Sequence, residues 1–181
     1  MKIAVFASGS GTNFENLVKN EIPVALLFSD KRQAGVLERA DLLGIKHASF
    51  ELKEFTDKVA YELAILALLA EFEIDLVVLA GYMKIVSPTL LAAYEGRIIN
   101  IHPAYLPEFP GAYGIEDAFD AGVSQSGVTI HYVDAGVDTG EIIVQERVPI
   151  LSDDTLETFE ARIHEMEYLL YPQVLSRLLR N

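Results

Sequence analysis

Cysteine is absent from the 181 residues, so the chain has no disulfide framework, no thiolate nucleophile and no sulfur-dependent zinc site. Basic residues are scarce: 14 Lys and Arg stand against 27 Asp and Glu, a formal net charge of −13. No basic stripe is available to neutralise phosphates, which argues against a nucleic-acid or anionic-membrane surface. A small anion held locally by backbone N–H groups and one or two lysines remains compatible with that charge. Long hydrophobic runs are missing as well. Leu63 to Ala70 is eight residues between Glu62 and Glu71, too short to cross a bilayer. The apolar run in M-K-I-A-V-F-A-S-G is likewise too short for a signal peptide. It reads as a first strand, and the expected compartment is the cytoplasm.

What is present is a composition 51% hydrophobic and 23% charged, that of one well-packed domain. No linker, repeat or low-complexity stretch interrupts it, so residues 1–181 read as a single domain. Lys2 to Ala7, Val24 to Phe28, Ile45 to Phe50, Leu76 to Ala80 and Ile98 to Ile101 read as strands. Helical segments alternate with them, from near Thr12, over Lys31 to Leu43, over Phe55 to Phe72, and from Ser87-Pro88. Thr56 is the expected N-cap of the third, with Leu63, Leu66, Ala67 and Ala70 as its core face. A short helix is expected from Gly114 to Ala121. Val128 to Val133 and Ile142 to Val148 then read as an edge hairpin, and Asp154 with Glu157 as a capping box for a last helix. Leu156, Phe159, Ile163 and Met166 give that helix an apolar face, and Pro172 is expected to interrupt or kink it. The pattern predicts an α/β fold: a three-layer, open, mostly parallel twisted sheet with an antiparallel hairpin at one edge.

Three stretches carry chemistry. First, the opening strand runs into S8-G9-S10-G11-T12-N13 and then a helix, an arrangement that cradles a phosphate on backbone N–H groups. Phe14 stands where a dinucleotide motif needs a third glycine, and no lysine follows as a triphosphate loop requires. The reading is a site for one phosphate monoester, with Gly11, Thr12 and Asn13 at its centre. A tight turn without a ligand is the alternative. Asp30, at the end of the second strand, suits either a dinucleotide ribose or a cap for the next helix.

Second, the strand Ile98 to Ile101 ends in N100-I101-H102-P103, and Asn100 and His102, two apart, project from one face. Pro103 stops the ladder, and Pro107 and Pro110 stiffen the loop beyond. A carboxamide and an imidazole therefore share a strand's carboxyl end, where open α/β sheets bind ligands. A polar strand cap is the bland alternative. Third, G81-Y82-M83-K84-I85-V86 is an apolar turn with one cation. It is either a wall for a flat aromatic ligand or a turn buried under the next helix. Asp138, between Gly136 and Gly140, taken alone is a turn residue. His47 reads as structural. The four histidines show no paired ligand spacing, and no metal is expected.

With these residues in view, the chain resembles the glycinamide ribonucleotide formyltransferases. S8-G9-S10-G11-T12-N13, L79-A80-G81-Y82-M83, N100-I101-H102-P103-A104-Y105-L106-P107, G127-V128-T129-I130-H131 and D138-T139-G140 occur in that family's order and approximate spacing, over nearly the whole chain. The resemblance implies a Rossmann-like formyltransferase fold. It also implies transfer of a formyl group from 10-formyltetrahydrofolate to the amine of 5-phosphoribosylglycinamide, in purine synthesis. Asn100, His102 and Asp138 match the family's catalytic trio. Gly11, Thr12 and Asn13 match its substrate-phosphate loop, and Glu167 an acid near the substrate. Lys58, Met83, Lys84, Ile85 and Val86 match positions that meet the folate, as does Asn100. The family often has histidine where Tyr113 stands and arginine where Lys84 stands, a bidentate donor replaced by a point charge.

The implied reaction develops charge on the formyl oxygen, toward which the Asn100 amide and a protonated His102 would donate. His102 would also shuttle the proton, with Asp138 favouring the imidazolium by charge attraction. The expected partners are the two small molecules, and the chain is expected to be a monomer or homodimer. Two alternatives remain. A methionyl-tRNA formyltransferase would carry a basic surface, which the −13 charge opposes. A non-catalytic nucleotide-binding module would use Gly9, Gly11 and Asp30, against which the missing third glycine weighs.

Overall fold

Strand β1, Ile3–Phe6, is buried at every residue, as expected of a parallel strand covered on both faces. A computed structural model describes residues 1–181. The further strands are β2 (Val24–Ser29), β3 (His47–Ser49), β4 (Leu76–Leu79), β5 (Ile98–His102), β6 (Gln125–Tyr132) and β7 (Ile142–Pro149). Hydrogen bonding orders them β3-β2-β1-β4-β5-β6-β7 in one sheet. β1 runs parallel to β2 and β4, and β2 to β3. β6 and β7 form the antiparallel edge pair, with a register shift between Ile130 and His131. The expected α/β fold, mostly parallel with an edge hairpin, is the fold observed.

The chain divides into two compact units, Met1–Ile99 and Asn100–Asn181. The first holds α1 (Thr12–Lys19), α2 (Gly35–Leu43), α3 (Lys58–Glu71) and α4 (Pro88–Ala93). Its core rests on Phe6, Phe14, Phe28 and Tyr61, all essentially without solvent contact. Each such side chain contributes roughly 1.5–3 kcal/mol by leaving water. Two local expectations fail in α3. Its N-cap is Asp57, whose carboxylate accepts from Ala60 N–H at 2.7 Å, in place of Thr56. Its buried face is Tyr61, Ile65 and Leu69, while Leu63 is 54% exposed. The run from Leu63 to Ala70 is apolar at every position, so its composition cannot set the phase; the aromatic Tyr61 does. Glu62, also buried, accepts from Ser87 N–H (3.0 Å), Ser87 Oγ (2.5 Å) and Leu90 N–H (2.9 Å). A carboxylate of α3 thus caps the start of α4.

The second unit holds α5 (Gly114–Asp120) and α6 (Leu156–Leu179). The cap of α6 is a box between Thr155 and Thr158, not Asp154 with Glu157. Asp154 is occupied otherwise, gripped by Arg162 through two N–H groups at 2.7 and 2.9 Å. Phe159 and Ile163 are buried as expected, but the burial then passes to Glu167, Leu170 and Tyr171. The helix runs on through Pro172, which is buried, so the expected interruption does not occur. A proline removes one helical hydrogen bond, and the buried apolar face continues on its far side at Val174 and Leu175. No helix is long and apolar enough to cross a membrane.

Candidate active site

Asn100 and His102 lie at the carboxyl end of β5, and the neighbouring strand β6 carries a matching polar pair, Thr129 and His131, again two apart. The Asn100 amide Nδ2 lies 3.3 Å from His131 Nε2, and His131 Nδ1 lies 2.8 Å from the carbonyl of Tyr132. That carbonyl can only accept, so Nδ1 carries the proton and Nε2 accepts from the amide. One N–H of Asn100 is therefore anchored, and the other remains to serve a ligand. His131 stands at the register shift of the hairpin, a backbone irregularity of the kind that re-aims side chains beside active sites.

His102 is 4% exposed. Its Nε2–H donates to the carbonyl of Phe109 at 2.9 Å, and its Nδ1 faces Asp138 Oδ2 at 3.6 Å. Asp138 Oδ1 lies 3.7 Å from His131 Nε2, so one carboxylate stands between two imidazoles. The same Oδ2 accepts from Gly111 N–H at 2.8 Å, which ties the Asp138 loop to the proline-rich segment after β5. Asp138 adopts φ 55°, a left-handed conformation that Asp tolerates better than most residues. Gly114 completes the seat of His102. A methyl group there would meet His102 Nε2 and the Phe109 carbonyl oxygen at 3.1 Å each.

The segment following His102 is fixed by a buried hydroxyl. Thr129 Oγ1 donates to the carbonyl of Ala104 (2.7 Å) and accepts from Leu106 N–H (3.1 Å) and Gln145 Nε2 (3.1 Å). Gln145 Nε2 also donates to the Leu106 carbonyl at 2.7 Å. Arg147 lies over the Tyr105 ring at 3.6 Å and pairs with Glu108 at 3.0 Å. The structure thus brings Asn100, His102 and Asp138 together. It adds His131, Thr129 and the Phe109 carbonyl, to which sequence reading had given no role. The i, i+2 spacing of Thr129 and His131, identical to that of Asn100 and His102, was the available signal.

In the first unit, the glycine-rich turn leads into α1. Gly11 has φ 80°, and a Cβ there would lie 2.3 Å from Val36 Cγ2, so glycine is required both for conformation and for space. Glu15 N–H makes the first bond inside the helix, to Gly11 O at 2.9 Å; Thr12 is exposed and Asn13 half-buried at its open end. Asp30 neither caps α2, whose N-cap is Ala34, nor reaches outward for a ribose. It is buried and accepts from Ser8 Oγ at 2.6 Å, and Ser8 Oγ accepts in turn from Met83 N–H at 2.8 Å. Met83 and Ile85 are 65% and 64% exposed, whereas Val86 is buried. Lys58 Nζ donates to the Ile85 carbonyl at 2.5 Å, and Lys84 Nζ sits 6.0 Å from the Tyr61 ring centre. Buried among aromatic and acidic neighbours, the Tyr61 phenol is pushed up to about 12, desolvation being the largest cause. His47 pairs with Asp41 at 2.9 Å, a structural contact. In the second unit Glu167 is buried on α6, and Tyr113 is exposed before α5.

A buried imidazole facing a half-buried carboxylate, with an anchored carboxamide beside them, stands at a strand's carboxyl end in a mostly parallel α/β fold, the place where enzymes of this fold class bind their ligands. The family described as formyl transferase matches residues 1–175. A Bacillus subtilis (strain 168) protein named phosphoribosylglycinamide formyltransferase is 50% identical over 98% of this chain and 94% of its own. The crystal structure of phosphoribosylglycinamide formyltransferase from Streptococcus pneumoniae TIGR4 superposes with a TM-score of 0.97 at 66% identity, covering 98% of each chain. That from Bacillus halodurans gives 0.96 at 50% identity, covering 99% of this chain and 95% of that one. The chain belongs to the phosphoribosylglycinamide formyltransferase family.

Proposed function

We propose that residues 1–181 act as one formyltransferase domain, transferring the formyl group of 10-formyltetrahydrofolate to the amine of 5-phosphoribosylglycinamide. The formyl product and tetrahydrofolate would leave. The family membership above supports the reaction class. The observation that carries the reading of the site is Asp138 set between His102 and His131, with Asn100 anchored on the latter.

The folate supplies the formyl carbon as electrophile. The unanchored N–H of Asn100 donates to the formyl oxygen as charge grows there, which is the usual strong term in acyl transfer. His102 takes a proton from the attacking nitrogen at Nδ1, beside Asp138, and delivers it to the departing nitrogen, directly or through one water. Asp138 offsets the imidazolium charge and, through Gly111, keeps the loop in register. The Phe109 carbonyl fixes the ring so that Nδ1, not Nε2, is the working nitrogen.

Gly11, Thr12 and Asn13 are assigned the ribotide phosphate, on leading helix N–H groups that suit an anion. Glu167 is assigned a contact to the ribotide. The exposed Met83 and Ile85 side chains suit a flat ring that would cover them, and Val86, buried beside them in sequence, is assigned to the same pocket wall. Lys84 and Asn100 contribute polar contacts to the folate, while Lys58 braces Ile85. No metal enters the reaction as proposed, the partners are these small molecules, and a cytoplasmic setting fits both substrates.

The test is purified protein with both substrates, followed by absorbance for loss of the formyl group, beside His102→Ala. Turnover that needs the ribotide and falls at least ~10²-fold in the variant, the usual weight of an acid–base group, is expected. Equal folate consumption without the ribotide would make the protein a hydrolase instead.

A further inference from the structure

Glu167 is 4% exposed, and a polar group at that depth is costly unless hydrogen-bonded. His164, three residues earlier on the same face of α6, directs Nδ1 to Glu167 Oε2 at 2.8 Å. Its Nε2 lies 3.4 Å from Glu160 Oε1, one turn back. The Tyr168 ring stacks on the imidazole at 6.2 Å with a 20° interplanar angle. The ring is thus held on both edges and on one face, with its stronger bond directed to the buried acid. Hydrogen bonding to Glu167 is the largest of the effects raising the His164 pKa, against burial.

We propose that His164 is a positioning residue for the transfer reaction: through Nδ1 it holds the Glu167 carboxylate in one orientation, so that Glu167 can accept a hydrogen bond from the ribotide. This rests on the reading of Glu167 as a ribotide contact. The division of labour along the helix is specific. Glu160 orients the far side of the ring, Tyr168 stacks on its face, and Nδ1 meets the acid assigned to substrate.

Steady-state kinetics on the full chain separate the two roles. The ribotide is varied at saturating folate, and the folate at saturating ribotide, for wild type, His164→Ala, His164→Asn and Glu167→Gln. Asparagine returns an N–H near the Nδ1 position without the Nε2 edge. His164→Ala is expected to raise the ribotide KM about tenfold, the weight of one charge-assisted hydrogen bond. The folate KM should stay within about twofold, and His164→Asn should recover most of the loss. An unchanged ribotide KM in His164→Ala, or equal rises in both KM values, would overturn the inference, as would His164→Asn behaving like His164→Ala. If Glu167→Gln also leaves the ribotide KM unchanged, it is the reading of Glu167 that has failed. If Glu167→Gln raises it and His164→Ala does not, only the role of His164 has failed.

Discussion

Asn100 and His131 sit on neighbouring strands with Nδ2 and Nε2 3.3 Å apart, and the imidazole, its other nitrogen bonded to the Tyr132 carbonyl, accepts from the amide. The carboxamide is thereby oriented before any substrate arrives. Removing His131 should therefore damage catalysis without touching the reacting atoms. His131→Phe is expected to lower kcat about tenfold, less than loss of the donor itself, because the amide can still reach the formyl oxygen in part of its conformations. Steady-state kinetics on the two variants check the ranking: Asn100→Ala should lose at least ~10²-fold. A His131→Phe enzyme with wild-type kcat would remove the anchor from the mechanism.

Asp138→Asn isolates charge from geometry. Asparagine tolerates the left-handed backbone, and its carbonyl can still accept from Gly111 N–H, the bond Asp138 makes at 2.8 Å. The melting temperature should hardly move, while kcat falls about 10²-fold as the imidazolium loses its counter-charge. If the variant instead loses stability and keeps its rate, Asp138 is a turn residue.

Gly11→Ala probes the phosphate turn. The added methyl would sit 2.3 Å from Val36 Cγ2 at φ 80°. Left-handed strain of roughly 1–2 kcal/mol adds to overpacking of roughly 1–3 kcal/mol. Denaturant unfolding should therefore show a loss of more than about 2 kcal/mol, with a weakened ribotide KM in whatever protein remains folded.

Asp154 supplies a pH signature through a pair with Arg162. The bidentate Arg162 guanidinium, helped by Leu151 N–H, holds its carboxyl well below the usual carboxylate range. A folded-state pKa below the unfolded one means stability fully present above about 3.9, the unfolded value. It is lost as the pH falls toward the folded value. Melting temperatures measured from neutral pH into acid should fall less steeply for Asp154→Asn than for wild type. Parallel curves would mean that the pair does not contribute to acid sensitivity.

Much of this protein was legible in its sequence. The alternation of apolar runs and helical segments is local physics, and it yielded the α/β fold, the edge hairpin and most element positions. Asn100 and His102 could be paired because strand geometry puts residues two apart on one face. Gly11 could be read as a turn glycine because the step from strand to helix there takes a left-handed backbone, φ 80°, which glycine adopts without strain. The misreadings have different causes: a neighbouring residue with a better cap, a partner further along the chain, or a run without phase. Thr56 yielded the α3 cap to Asp57, and Asp154 left its expected box for Arg162, eight residues on. Asp30 turned inward to Ser8, 22 residues earlier. The phase of α3 was set by Tyr61, because an all-apolar run carries no phase of its own.

The sequence by itself determined which chemical groups are present, which segments become strands and helices, and which side chains share a strand face, since these depend on spacing of a few residues. Only the tertiary structure decided that Asp138 stands between His102 and His131, that Asn100 leans on a neighbouring strand, and that the Phe109 carbonyl takes the Nε2 proton. The pairing of strands β5 and β6 and the return of the Asp138 loop join residues about thirty positions apart. Such contacts are fixed by the closing of the chain on itself, not by the propensity of any segment within it.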